Sequence, residues 1–373
     1  LSVYRIPYTV YRIKGLLNQA AHFLSLKMTI RNDKWILAII SIAILCYACK
    51  KSPSTPDNPI PPVDTSKIAE GADVSWLTQM EAEGRKFYTP AGTEQECMQL
   101  LKGIGLNAIR LRVWVDPAGG WNNTTDVVAK ATRAKNLGLK ILIDFHYSDT
   151  WADPGHQAKP AAWASQDFDG LKQSLTNHTT SVLNALKASG VTPTWVQIGN
   201  ETNDGMLWPD GQASVNMANF AQLINTGYEA VKAVDPSIKV IVHISNGFDN
   251  NLFRWIFDGL KNNGAQWDII GMSLYPTASN WSTLNEQCLS NMNDMVSRYN
   301  KDVMIVETGM SWDQATACNA FLTDLVTKLK SITNGRGLGV FYWEPEAYNN
   351  WQGYTLGAFD NNGKPTIALN AFN

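Results

Sequence analysis

Trp195-Val196-Gln197-Ile198-Gly199-Asn200-Glu201-Thr202 is an apolar run too short for a helix that ends abruptly in an amide beside a carboxylate. Charged residues seldom close a buried run unless they act there. Two readings are open at this point. The Asn-Glu pair caps the next helix, or a strand delivers a working carboxylate to its end.

Outward from this stretch, from about residue 67 onward, one theme repeats: apolar strand, polar loop, amphipathic helix, Gly-containing turn, next strand. Strand-like runs cover 71–76, 108–114, 140–146, 195–201, 239–244, 267–274, 302–308 and 339–344. Most are short, rich in Val and Ile and nearly continuous in hydrophobicity, as strands buried on both faces are. Helical patterns cover 126–136, 168–189, 213–234, 252–262, 284–299 and 315–331, with a short last helix over 366–372. Thr93-Glu94-Gln95-Glu96 has capping-box spacing at the front of a further helix. Gly105-Leu106, Gly138-Leu139 and Gly190-Val191 supply the left-handed helix end and its apolar partner. Strands alternating with helices predict a parallel sheet with right-handed crossovers. Eight such units in some 300 residues predict an α/β fold of one domain, a single (β/α)8 TIM barrel. A doubly wound sheet would carry a Gly-rich phosphate turn after its first strand, and none is present here.

In a barrel, chemistry gathers at the C-terminal strand ends. Alternation puts Arg110, Arg112 and Trp114 on one face of the second strand. The third ends in Asp144-Phe145-His146-Tyr147 and the fourth in Asn200-Glu201. The fifth carries His243, and the sixth ends in Ser273-Leu274-Tyr275-Pro276. Glu307-Thr308 closes the seventh and Trp343-Glu344 the eighth. Glu201 and Glu307 therefore face each other across the mouth. Paired carboxylates about a sugar are what glycoside hydrolysis requires. The other reading joins each to a neighbouring Arg as a buried ion pair, an expensive arrangement unless it serves something.

Several segments carry a resemblance. They are Gly71-Ala72-Asp73-Val74-Ser75, Asn107-Ala108-Ile109-Arg110-Leu111-Arg112-Val113-Trp114, and Asp144-Phe145-His146-Tyr147-Ser148-Asp149-Thr150-Trp151-Ala152-Asp153-Pro154. Gln197-Ile198-Gly199-Asn200-Glu201 and Val306-Glu307-Thr308-Gly309 complete the set. Together the segments resemble the clan A retaining glycosidases and, more narrowly, glycoside hydrolase family 53, the endo-β-1,4-galactanases. Asn-Glu is a clan-wide signal, whereas the block from His146 to Pro154 is specific to the family.

The resemblance implies Glu201 as acid/base, Glu307 as nucleophile and Asn200 as partner of the sugar 2-hydroxyl. Tyr275 and Arg112 would keep Glu307 ionised, with a core ion pair as the other reading of Arg112, while the surroundings of Glu201 should raise its pKa. Asp144, His146 and His243 are further substrate-binding candidates; either histidine could instead satisfy neighbours. Trp76, Trp114, Trp151, Trp163 and Trp343 are candidates for stacking on sugar faces, Trp343 foremost, with a core role as the other reading. The implied substrate is β-1,4-galactan or type I arabinogalactan. Another clan A glycanase acting on mannan, xylan or glucan, or a non-catalytic glycan-binding lipoprotein, are the alternatives.

No cofactor is expected for catalysis. Some bacterial members carry structural calcium near strands seven and eight. Here Asp360-Asn361-Asn362-Gly363 alone looks like an oxygen-ligand turn, and such a sequence is mostly just a turn, so no metal is expected.

The composition, 45% hydrophobic and 17% charged with net charge −2, is that of a globular domain and lacks the basic excess of a nucleic-acid binder. Fourteen Trp suit a cleft with flat apolar walls. Arg31 and Lys34 precede an apolar run from Trp35 to Ala48 that ends at Cys49. This resembles a bacterial lipoprotein signal with Cys49 as the lipidated residue, and at well under about 20 residues it is short for a span. A plain signal peptide or an anchor helix are the other readings. The expected organisation is an upstream extension (1–27) before a start at Met28, a signal (28–49), a Pro-rich spacer (50–66) and the catalytic domain (67–373). An exported monomer is expected, anchored by its lipid at the outer membrane or surface of a Gram-negative bacterium. Cys97, Cys288 and Cys318 remain in the domain, where export permits a Cys288–Cys318 disulfide and burial as free thiols is the alternative.

Overall fold

In the computed structural model, which describes residues 68–372, eight strands close into a parallel barrel in sequence order, β8 pairing with β1. They are β1 (Ala69–Asp73), β2 (Ala108–Val113), β3 (Lys140–Phe145), β4 (Trp195–Ile198), β5 (Lys239–Ile244), β6 (Ile269–Leu274), β7 (Asp302–Thr308) and β8 (Gly337–Trp343). The helices are α1 (Leu77–Ala82), α2 (Cys97–Gly103), α3 (Thr124–Asn136), α4 (Phe168–Ala188), α5 (Ala213–Val234), α6 (Asn250–Asn262), α7 (Trp281–Tyr299) and α8 (Ala315–Lys330). This is the expected (β/α)8 barrel. The expected upstream extension, signal, lipidated Cys49 and spacer lie outside the described residues. Among the described residues no helix is long and apolar enough to cross a membrane.

The strands read as continuous hydrophobic text because helices cover one face and the barrel interior the other. Ala69, Ala108, Leu142, Trp195, Ile241, Ile269, Met304, Val306 and Phe341 pack together and fill the barrel floor. Period two then sets the layer above the floor: Arg110 and Arg112 follow Ala108, Asp144 follows Leu142, Gln197 follows Trp195, and His243 follows Ile241. The floor is apolar and the layer above it is polar and charged, so each strand carries its own boundary between plug and site.

Strand β7 breaks the alternation in a useful way. Its pairing with β6 slips between Met272 and Ser273, so that Met272 lies opposite Ile305 but Ser273 opposite Glu307. Val306 belongs to the floor and its neighbour Glu307 lines the cleft. A regular strand would send one of the two outward.

Three local expectations are corrected. The first strand stops at Asp73 and a short helix α1 follows, with Trp76 already in right-handed helical geometry. Glu96, not Thr93, caps α2, accepting from Gln99 N at 2.6 Å; Thr93 instead donates its N–H to Thr89 Oγ1 within a turn. The final segment Ile367–Phe372 is a 3-10 helix. Cys97, Cys288 and Cys318 are all buried and free, so the disulfide does not form, and burial pushes the Cys288 and Cys318 thiols up to about 12.

The floor tolerates no added volume at Gly71, where a Cβ would lie 2.4 Å from the Phe341 ring. Gly71→Val should cost about 1–3 kcal/mol by urea denaturation, and Phe341→Leu in the same chain should recover part of the loss. An undiminished midpoint in Gly71→Val would show a looser floor than described.

Candidate active site

Strand β4 ends at Ile198, and Gly199 at φ +79° starts a tight turn that leaves Glu201 itself at φ +45°. A non-glycine side chain in left-handed geometry is strained and needs its surroundings to hold it. The next helix, α5, starts only at Ala213 and is preceded by Gln212, which makes no side-chain cap bond. The helix-cap reading of Asn200-Glu201 therefore falls. Glu307 comes from within β7 on the opposite side. A carboxylate oxygen of each glutamate and a ring nitrogen of His243 all lie within 4.8 Å of one another. Neither His243 nitrogen is left for a metal ion, because Nδ1 receives the Glu201 N–H and Nε2 bonds Ser273 Oγ. The set fits an acid pair better than a metal centre.

Beneath the pair lies a buried guanidinium. Arg110 Nη1 reaches Asp73 Oδ2 at 2.7 Å and Glu307 Oε2 at 3.3 Å; Nη2 reaches Asp144 Oδ2 at 2.8 Å and Asn200 Oδ1 at 2.9 Å. The sequence reading gave the role of steadying Glu307 to Arg112, and this is corrected. Arg112 lies one pleat higher on β2, where Nη1 is bonded to Glu344, the residue that follows β8. Its guanidinium sits among four indoles, 4.4 Å from the centre of Trp151 and 5.2 Å from that of Trp76. Tyr275 takes its expected place, donating its hydroxyl to Glu307 Oε1 at 2.7 Å.

The protonation of Glu307 also departs from expectation. Burial, and next the charge of Glu201, push it up to about 8, against the pull of Arg110 and Tyr275. Burial likewise raises Glu201, opposed by Ser273 and Arg110 and reinforced by Asp153 and Asp144. A half-buried and a buried carboxylate this close do not readily ionise together near neutral pH, so they share one proton and titrate as a pair. Contacts decide where it resides. Glu307 faces the permanent cation and a phenol donor, which favour the charge there and leave the proton to Glu201.

Asp144 was a candidate for contacting substrate, but it is fully buried. It accepts from Arg110, from Gln197 Nε2 at 2.6 Å and from His146 Nε2 at 3.0 Å. Burial works to raise its carboxyl, and Arg110 and then His146 hold it below the usual range. His146 does line the cleft, its Nδ1 receiving the Trp114 indole N–H and the Ala152 N–H, both at 3.1 Å. His243 is wholly buried behind Glu201 and satisfies neighbours instead of facing the cleft. Burial, then Arg110, drives its pKa well below the usual value, so the ring is neutral.

The cleft has a volume of about 580 Å3, and Asn200, Trp76, Trp114, Trp151 and Trp343 share its walls. Trp163 does not join them; it is buried against His178. Asn200 donates Nδ2–H to Ala152 O at 2.8 Å, which fixes its amide at the cleft floor. Asp360 Oδ1 accepts from Asn362 N and Lys364 N, closing the turn on itself. Sequence reasoning did not single out Arg110, Gln197, Ser273 or Tyr354 for roles at the site. The first three were visible as inward positions at strand ends. Tyr354 belongs to a loop after β8, and no periodicity marks it.

Comparison with known proteins gives one family. The model described as Glycosyl hydrolase family 53 matches residues 69–372. An arabinogalactan endo-beta-1,4-galactanase of Thermothelomyces thermophilus is 36% identical over 301 residues, covering 75% of this chain and 90% of that protein. Its counterpart in Humicola insolens is 34% identical over 302 residues, with 75% and 90% covered. Among solved structures, one of two fungal beta-1,4-galactanases superposes with TM-score 0.76 at 33% identity, over 82% of this chain and 99% of that one. The Ignisphaera aggregans GH53 catalytic domain gives 0.75 at 31%, over 84% and 98%. The catalytic core of xylanase A, at 13% identity and TM-score 0.57, with 82% and 97% covered, shares the fold.

Two measurements test this site. Arg110→Met would leave Asp73 and Asp144 buried without their cation and should cost about 3–5 kcal/mol of unfolding free energy; a near-neutral change would remove Arg110 from the centre of the network. A pair that works with one proton loses it as pH rises, so kcat/KM should decline on its basic side through about pH 8. A flat profile to pH 10 would contradict the shared proton.

Proposed function

The chain belongs to glycosyl hydrolase family 53, and from that premise we propose that it cleaves internal β-1,4-galactosidic bonds of galactan and type I arabinogalactan with retention, Glu201 as acid/base and Glu307 as nucleophile. It is a glycoside hydrolase, and relatives that share about a third of its residues are named arabinogalactan endo-beta-1,4-galactanases. The observation that carries the mechanism is the approach of Glu201 and Glu307 to within 4.8 Å. Retaining enzymes hold their carboxyl groups about 5–5.5 Å apart, whereas inverting enzymes need about 6.5–9.5 Å to seat a water between them.

In the first step Glu201 gives its proton to the glycosidic oxygen while a Glu307 oxygen attacks the anomeric carbon. The bond to the leaving sugar breaks and a galactosyl ester of Glu307 forms. Arg110 and the Tyr275 hydroxyl support the Glu307 charge before attack. Glu201, now ionised, takes a proton from water, whose oxygen attacks the same carbon and frees Glu307. Asn200 would bond the 2-hydroxyl of the sugar and the Trp walls would stack on its faces, a reading supported by their shared place in the cleft lining. Signal-like text ending at Cys49, followed by a Pro-rich spacer, supports action outside the cytoplasm on a lipid tether.

Glu201→Ala and Glu307→Ala should each lower kcat on galactan by at least about 10³-fold with unchanged circular dichroism. NMR of fresh product should show the β anomer first. Initial α anomer would overturn retention, full activity of either variant would overturn its assignment, and faster turnover of mannan, xylan or glucan in parallel assays would overturn the substrate.

A further inference from the structure

Behind Glu201 the hydrogen bonds form a closed loop whose directions can be read from donors that have no choice. The Glu201 backbone N–H points at His243 Nδ1 at 3.3 Å. A backbone amide can only donate, so Nδ1 accepts and the ring proton lies on Nε2. Nε2 is 2.7 Å from Ser273 Oγ, and Ser273 Oγ is 2.6 Å from Glu201 Oε1. A hydroxyl that receives the Nε2 proton has its own proton free to donate, and Glu201 Oε1 is the acceptor in reach. The loop thus runs from the Glu201 amide through the imidazole and the serine back to the Glu201 carboxyl group. The Thr202 N–H, bonded to His243 O at 2.9 Å, ties the following residue to the same strand.

We propose that His243, acting through Ser273, directs the catalytic proton of Glu201 to Oε2. With Ser273 obliged to donate to Oε1, that oxygen is the poorer seat for the acid proton, because a hydroxyl oxygen accepts a hydrogen bond more weakly than a carbonyl or carboxylate oxygen. Oε2, to which no donor among the described residues bonds, carries it and presents it to the leaving-group oxygen. When Glu201 is ionised after the first step, the same serine proton supports the negative charge without any rearrangement of the ring. The inference rests on Glu201 being the acid/base, and it makes His243 and Ser273 positioning residues. The rest of the surroundings agree. Arg110, Asp144 and His146 are the charged or titratable groups that act on His243, with burial opposing its charged form. Arg110, Asp144 and Asp153 act on Glu201 together with Glu307. Gln197 Nε2, 3.0 Å from Nδ1, is a second donor toward it.

One contact favours the opposite arrangement. Asn200 Oδ1 lies 3.0 Å from Nδ1 and would accept a proton placed there. It already accepts from Arg110 Nη2 at 2.9 Å, so its need is met without His243. The two arrangements differ at one atom. With the proton on Nδ1, Ser273 would donate to Nε2 and Glu201 would have to protonate at Oε1.

Ring-15N histidine NMR of the intact enzyme distinguishes them directly. His243 should show the Nε2–H tautomer from pH 5 to 8, and the Nδ1–H tautomer would overturn the proposal. Kinetics give a second reading through Ser273→Ala, assayed on galactan and on an aryl β-galactobioside with a dinitrophenyl leaving group, which departs without a proton. Loss of the hydroxyl should lower kcat/KM on galactan on the order of tenfold and spare the activated glycoside. It should also move the basic limb up by about one pH unit, because Ser273 no longer favours the ionised acid. Equal loss on both substrates with an unmoved limb would overturn the relay. Glu201→Ala on the same pair tells the two levels apart. If it spares the activated glycoside and Ser273→Ala does not, the relay fails and the acid assignment survives. If Glu201→Ala spares neither, the assignment beneath the relay fails.

Discussion

Arg110 is the group on which the site depends. Its guanidinium is withdrawn from water at the centre of the barrel, and it joins Asp73 of β1, Asp144 of β3, Asn200 after β4 and Glu307 of β7. Burying so many charges is costly unless they neutralise one another with good geometry. The arrangement meets that condition for most atoms, although Arg110 Nε is left without a partner. In return four strand ends are held in one constellation. Asp144 passes the restraint outward to Gln197 and His146, and Gln197 lies against Asn200. A carboxylate pair that must be placed to a fraction of an ångström is thereby fixed by the fold's own interior rather than by mobile loops.

The second arginine does something different with the same strand. Two residues on from Arg110, period two keeps Arg112 on the inner face but lifts it toward the rim. There Glu344 neutralises it and Trp76, Trp114, Trp151 and Trp343 surround it. A cation amid edge-to-face indoles gains from the ring quadrupoles and holds those rings at fixed angles. Sugar-stacking walls of this kind gain from rigidity, since flat faces held in place lose little entropy when a sugar binds.

Much of this was legible in the sequence, for identifiable reasons. Strand periodicity and order gave the barrel, and the barrel gave the opposition of Glu201 and Glu307, because strands four and seven lie across the mouth. The choice between Arg110 and Arg112 was not legible. Both point inward, and which of them lies level with Glu307 depends on the height of Glu307 in the barrel, where β7 slips in register against β6 between Met272 and Ser273, a feature that leaves no trace in composition. His243 was legible as an inward strand residue but not as a buried one, since depth below the rim is a property of the closed barrel. The capping-box spacing at Thr93 misled because Glu96 three residues later caps the helix itself.

The raised pKa of Glu307 follows from the same constraint that places it. Burial and a like charge within 4.8 Å push its proton affinity upward, and a nucleophile that is neutral at working pH would be useless. The pair resolves this by holding one proton in common. Whichever glutamate is protonated relieves the other of its like charge, so an acid and a nucleophile arise together from one titration. Of the two glutamates, Arg110 and Tyr275 contact Glu307, and Ser273 contacts Glu201. A permanent cation favours the charge far more than a neutral hydroxyl does, so the asymmetry of these partners, not an intrinsic difference between two glutamates, divides the roles.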